Sequence, residues 1–537
     1  MQPVIYADLR CLQQDEYRIR GIGHHVAALL RTRMQSACSG WKIIGLTDPR
    51  LPALPSDLAS LVDDVTCSVN PSDNGTLAVF LDGTPMTHDT RFSLRFLNHP
   101  AFFRAAVLYD FIPLDWPGYL PTIAHRIDYL AKLARLRKFD WFFPISEYTA
   151  WRASELLGVT RSRMTVTGAP VRRSVYELRR RLESESSPND KKDPYFLVVL
   201  APDPRKNPEL AIKAVRHLNL VYCRRIALKI AGHYKDPYKR HLLGVACQAE
   251  GEGFLEFCPS VSDEDLASLY FGATATIAPS HIEGFSLPVV EASVCGSPVI
   301  ASTCAAHLEL IDRPEALFPS DNAAALCERL DALLNSPALR DSLIASQAQL
   351  AANFHEDAVG ERFWVGLKTA VEKRRSPVMI AKSAKPRLAF LSPYPPDRSD
   401  AALYTAMAIR AGEGMFHADL YTDAPRPLTF DGSFRDGGRM SVAPLLSGRY
   451  DAIVSVAGGS SRCGRIFDVF ERSGGPLIVN DSALTEIYFH RFGRGKFMEL
   501  AAKRIGGSLS TYEVNAWLDQ CDTPSAGLAV DRASPLI

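Results

Sequence analysis

The stretch Pro279-Ser-His-Ile-Glu283-Gly-Phe-Ser-Leu-Pro288-Val-Val-Glu291-Ala-Ser-Val-Cys-Gly296-Ser-Pro-Val-Ile300 decides how the rest of the chain is read. Ser280 to Ser286 is a loop with a glycine at Gly284. Pro288 suits the first turn of a helix, where a missing N–H costs nothing. Gly296 is a natural residue to follow the helix and Pro298 stops its continuation, so the helix ends near Cys295. Val299-Ile-Ala301 then reads as a buried strand. The N-terminus of that helix points free N–H groups and partial positive charge at Gly284-Phe285-Ser286. Gly284 has no Cβ, so a ligand can approach its backbone closely. Glu283 before the helix and Glu291 within it would repel a phosphate unless each addresses hydroxyls elsewhere on the same ligand. A sugar nucleotide meets that condition, since its diphosphate lies between a ribose and a sugar. The plainer alternative is a solvated helix end carrying two surface glutamates.

Working outward, 537 residues suggest three to four domains. At 47% hydrophobic and 23% charged residues the composition is that of a soluble globular protein. Lys+Arg 61 against Asp+Glu 60 leaves +1, which argues against a nucleic-acid binder. The 11 cysteines are scattered without a C-x-x-C pair, so free thiols in a reducing cytosol are expected. The first residues show no signal-peptide pattern, and no apolar run reaches the ~18 residues of a membrane span. The expected location is cytoplasmic.

Short apolar runs at Val4–Ala7, Trp41–Leu46, Leu77–Leu81 and Ala105–Asp110 alternate with helical patterns. That alternation means a parallel, doubly wound sheet, whose ligands sit beyond the carboxyl ends of the strands. Gly21-Ile-Gly23 precedes a helix through Val26–Leu30; a lone G-x-G is equally a tight turn. Asp110 stands at a strand end, as a site residue or a turn aspartate. The basic amphipathic segment Ile123–Lys138 reads as a solvated face or a peripheral contact with anionic lipid. Ser146 is placed to cap a helix. Residues 182–194 have linker composition, and a second α/β run starts at Tyr195–Leu200. Arg205 and Lys206 sit at a strand-to-helix turn, where a phosphate would gain from both the cations and the helix end. Ser262 or Asp263 caps the next helix. A helix from Phe354 to Val371 is expected to cross back to the first domain. After a second linker, Arg387–Leu391, Ala401–Ala411, Ala452–Val456 and Pro476–Asn480 begin a third α/β block. There Asn480-Asp481 echoes Tyr109-Asp110, a weak internal repeat.

Glu283 and Glu291, in the form EGFSLPVVEASVCGSPVIAS, resemble the E-x7-E signature of retaining GT-B glycosyltransferases of family 4. Arg205-Lys206-Asn207, the glycine-rich Gly21–Gly23 and V-S-D-E-D-L at Val261–Leu266 resemble further parts of that pattern. Tyr109-Asp110-Phe-Ile-Pro113 resembles its H-D-x-x-P element with the histidine replaced, and tyrosine is a poor base at neutral pH. A cation that often precedes the R-K-N turn is absent near Leu200-Ala201. The resemblance covers residues 1–375 as one enzyme and 387–537 as half of a second.

The resemblance implies an α/β GT-B fold. Two Rossmann-like domains (1–182, acceptor side; 194–375, nucleotide-sugar side) face a cleft, and a third, partial domain spans 387–537. It implies retaining, metal-independent transfer of a hexose from a nucleotide diphosphate sugar, which is substrate rather than cofactor. The acceptor is a glycan or lipid-linked saccharide of cell-surface polysaccharide such as lipopolysaccharide O-antigen. Mannose from GDP-mannose is the subtype expected from the R-K-N and Y-D-x-I-P elements. Glu283, Lys206, Arg205 and Asp110 are the implied catalytic residues. Gly21, Gly23, Val261, Gly284, Phe285, Ser286 and Glu291 are the implied donor contacts. A sugar-nucleotide epimerase and a non-catalytic glycan-binding scaffold are the competing readings.

Overall fold

The computed structural model describes residues 3–67, 78–87, 96–97, 102–116, 118–185, 193–247, 253–259, 262–375, 385–395, 397–422, 435–438, 450–458 and 463–480, with six isolated positions up to 498. Val261, Asp481 and most of the stretch from there to 537 lie outside the described residues.

Three parallel sheets organise the chain. The first is ordered β3-β2-β1-β4-β5-β6: β1 Val4–Asp8, β2 Lys42–Leu46, β3 Asp64–Thr66, β4 Ala78–Asp82, β5 Phe102–Leu108 and β6 Trp141–Pro144. The second is ordered β12-β11-β10-β7-β8-β9: β7 Tyr195–Val199, β8 Ala227–Ala231, β9 Leu255–Cys258, β10 Ala275–Ala278, β11 Val299–Ser302 and β12 Leu317–Phe318. The third is ordered β15-β14-β13-β16-β17: β13 Arg387–Leu391, β14 His417–Tyr421, β15 Arg435–Gly438, β16 Ala452–Ala457 and β17 Leu477–Val479. In chain order each runs outward from its first strand and then reverses, which is the doubly wound pattern. The central strands are continuous apolar runs because helices cover both faces; every residue of β4 and β11 is buried.

Helices among the described residues include α1 Gly21–Thr32, α2 Ile123–Leu136, α3 Glu147–Leu157, α4 Arg173–Glu185, α5 Pro208–Val221, α6 Asp263–Gly272, α7 Leu287–Val294, α8 Glu356–Arg375, α9 Asp400–Ala411 and α10 Gly464–Ser473. Their ends follow the local chemistry. Ser146 accepts from the Thr149 N–H, and Ser262 with Asp265 forms a reciprocal capping box on α6. α8 crosses from the second sheet to the first, as expected. Its Trp364 indole donates to the Leu29 carbonyl at 2.9 Å, and Glu356 pairs with Arg31.

The chain falls into two compact units. One holds residues 1–88, 100–121 and 139–376, and with them both six-stranded sheets. The other holds 89–99, 122–138 and 377–537, and with them the third sheet. The expected first domain of 1–182 therefore lacks α2. Ile127, Ala131 and Ala134 of that helix pack with Ala389, Leu391, Ile466 and Phe467 around β13 and α10. Much of the apolar face read as solvated or lipid-facing is thus used inside the protein, while Ile123 stays 73% exposed. Among the described residues no helix is long and apolar enough to cross a membrane.

Candidate active site between the first two lobes

The turn after β7 carries the cations. Asp203 accepts from the Arg205 N–H at 3.1 Å and starts a single 3-10 turn over Pro204–Lys206. Asn207 takes a left-handed φ of 54°, which asparagine tolerates better than most residues. Its side-chain amide donates to the carbonyls of Pro279 and Ser320, and the His281 N–H donates to the Arg205 carbonyl. These bonds lock the cationic turn to the loop that carries Glu283.

Glu283 receives both cations. Arg205 Nη1 donates to its Oε2 at 2.8 Å, Lys206 Nζ to its Oε1 at 2.5 Å, and Ser280 Oγ to Oε1 at 2.7 Å. Burial opposes the charge on this carboxylate, but Lys206 and then Arg205 outweigh it, and its pKa falls to about 2. The expected cation pair and first carboxylate are therefore one cluster, neutralising each other.

The first lobe closes over this cluster. A Cβ on Gly284 would lie 2.6 Å from the Tyr109 carbonyl oxygen and 2.8 Å from Asp110 Cβ, so only glycine permits the contact. Asp110, raised above the usual carboxylate range by burial, thereby joins the charged group; its Oδ1 accepts from the Ile112 N–H. A Cβ on Gly21 would meet Leu287 Cδ1 at 3.1 Å, which puts the G-x-G segment at the start of α7. That segment is the first turn of α1 rather than a preceding loop. Gly23 allows it, since a Cβ there would lie 2.6 Å from Arg18 Cα and the Tyr17 carbonyl oxygen.

The remaining expected residues divide. α7 begins at Leu287 with Pro288 in its first turn, and Gly296 follows it with φ 76°. Phe285 is buried edge-on against Phe354, with ring centroids 4.9 Å apart, so its side chain belongs to the core. Ser286 has φ 89°, and its hydroxyl is paired with His307 Nε2 at 3.1 Å. Glu291 has Tyr270 as hydroxyl donor at 3.3 Å, and burial raises its pKa. The Tyr109 hydroxyl donates to the Ile22 carbonyl at 3.5 Å and its ring packs edge-on against His25; burial holds its phenol well above the ordinary range, which removes it as a base.

Two residues at the cleft had no signal in the sequence. Tyr119 of the first lobe accepts from Arg205 Nε at 3.0 Å and pairs with Asp203. Trp116 stacks on His281 at 5.4 Å, 21° from parallel. Both occupy an irregular loop, where no periodicity marks a side chain. A cavity of about 670 Å³ lies nearby, lined by Arg18, Arg31, Arg172, Arg173, Asp263 and Glu356 among others, and not by Arg205, Lys206 or Glu283.

Residues 179–349 match the family Glycosyl transferases group 1. The serotype-specific mannosyltransferase WbdA of Escherichia coli is 28% identical over 259 residues, 46% of this chain and 31% of that protein. The O-antigen chain mannosyltransferase B of Escherichia coli is 32% identical over 117 residues, 22% of this chain and 30% of that protein. The chain spans about a third of the length of these curated relatives. Sucrose-phosphate synthase from Thermosynechococcus elongatus superposes over 70% of this chain and 99% of its own, with a TM-score of 0.51 and 17% identity, a likeness of fold. The architecture is that of the GT-B glycosyltransferases, and Arg205, Lys206, Glu283 and Glu291 all fall within the residues that match the group 1 glycosyl transferases, 179–349.

Proposed function

We propose that the chain transfers a hexosyl group, with retention and without a metal, from a nucleotide diphosphate sugar to a glycan or lipid-linked saccharide. Mannose from GDP-mannose is the donor proposed, in keeping with the mannosyltransferase relatives. The observation that carries the reading is the Arg205–Glu283–Lys206 cluster beside the N-terminus of α7. Without ligand, the carboxylate holds both cations in place. An arriving diphosphate competes for Lys206 and for the N–H groups at Gly284–Leu287. Glu283 is then released to accept hydrogen bonds from the sugar hydroxyls, and Glu291 takes those of the ribose. Fixed cations and helix N–H groups aimed at the departing diphosphate stabilise the charge that develops as the glycosidic bond breaks. Asp110 and Gly284 bring the acceptor-side lobe into contact with this centre, which orients the acceptor and excludes water.

The test incubates the chain with GDP-mannose and oligosaccharide acceptors and follows product by mass spectrometry. Transfer in native protein, reduced ~10²–10³-fold in Lys206→Ala, supports the assignment. Isomerised donor in the absence of acceptor would replace it with an epimerase.

A further inference from the structure

Behind the start of α7 runs a chain of buried polar groups. Ser280, Glu283, Ser286, Ser302 and His307 are each at most 7% exposed. Ser280 Oγ donates to Glu283 Oε1 at 2.7 Å, and Ser302 Oγ gives its one proton to the Ser280 carbonyl. His307 Nδ1 lies 3.0 Å from both the carbonyl and the hydroxyl oxygen of Ser302. Neither oxygen has a proton left for it, so Nδ1 is the ring nitrogen that carries hydrogen. Burial lowers the His307 pKa to about 4, against the pull of Glu283, and the ring is neutral. Its Nε2 is then a bare acceptor, and the Ser286 hydroxyl, 3.1 Å away, donates to it.

That bond bears on the backbone. Ser286 stands at φ 89° and ψ 71°, a left-handed conformation that residues with a Cβ avoid. The turn leaves the N–H groups of Gly284, Phe285, Ser286 and Leu287 without an acceptor among the described residues. We propose that His307 is a positioning residue for the diphosphate of the donor. By holding the Ser286 hydroxyl it keeps this residue left-handed, so that the N–H groups of Ser286 and Leu287 meet the diphosphate already in place. Through Ser302 and Ser280 it ties the same turn to Glu283. His307 itself does not touch the ligand; it lowers the cost of ordering the groups that do. The inference rests on the donor reading above, since it names what prepares that site.

The test is calorimetric titration of GDP and UDP into the native chain and into variants whose thermal midpoints are measured alongside. His307→Asn keeps a donor near the Nδ1 position but cannot reach Ser286. It should weaken nucleotide binding about tenfold, the contribution of one buried hydrogen bond. His307→Gln puts an amide oxygen near the Nε2 position and should bind close to native. Glycine adopts a positive φ without support, so Ser286→Gly added to His307→Asn should recover most of the loss. A histidine that merely filled space would not be rescued by backbone freedom at another residue. Native affinity in His307→Asn, or a loss that Ser286→Gly leaves in place, overturns the proposal while the donor reading stands. Absence of GDP and UDP binding by the native chain overturns both. Should His307→Asn fail to fold, Ser286→Ala removes the same bond from the other partner, and native affinity there overturns the proposal equally.

Discussion

At the scale of single residues, burial and pairing decide which groups are charged. His25 is the plainest case. It is 1% exposed, neither ring nitrogen has a hydrogen-bond partner among the described residues, and burial lowers its pKa to about 3. The unfolded chain takes up this proton near pH 6.5 and the folded chain does not, so the group costs stability as pH falls below 6.5. His25→Leu should therefore stabilise the protein more in acid, by about 2 kcal/mol at pH 5 and by little from titration at pH 7.5. Urea midpoints at the two pH values read this directly; equal shifts would contradict it. Glu283 has the opposite sign. Its pKa lies at about 2 because Lys206 and Arg205 outweigh burial. Its contribution is present above the unfolded value near 4.5 and is lost as pH falls towards 2. Glu283→Gln should remove that part of the acid transition, while its effect on stability at pH 7 includes the two cations left unpaired.

The elements show where sequence reading succeeds and where it stops. The loop, α7, Gly296 turn and β11 follow directly from Gly284, Pro288, Gly296 and Pro298, because those residues restrict the backbone wherever they occur. Caps at Ser146 and Ser262 are legible for the same reason. β3, exposed and three residues long, had no apolar run to announce it. The pairing of both cations with Glu283 was also hidden, since it joins residues 77 and 78 apart in sequence. Phe285 and Ser286 sat in the expected loop, yet their side chains turn to Phe354 and His307, which spacing cannot reveal. Gly284→Ala places a methyl against the Tyr109 carbonyl and Asp110, so the first lobe must back away from α7. Turnover should fall at least tenfold while the thermal transition shifts by only a few degrees. An alanine variant with native turnover would show that this contact has no part in the reaction.

For the whole molecule, the doubly wound pattern was visible three times over, while the grouping of its parts was not. α2 follows the strands of the first sheet in sequence but buries Ala131 beside β13 and α10. Ala131→Asp should therefore remove hydrogen-exchange protection from 388–391 and 452–457 and leave 4–8 unchanged. Equal loss in both sheets would contradict that grouping. The other large-scale claim is that the first two lobes form one nucleoside-diphosphate site around Lys206 and Glu283. The direct measurement is calorimetric titration of GDP and UDP into the native chain and into Lys206→Ala. Micromolar binding of at least one nucleotide is expected, weakened at least tenfold in the variant, whose unfolding midpoint stays within a few degrees of native. No binding of either nucleotide, or equal affinity in both proteins, would contradict it.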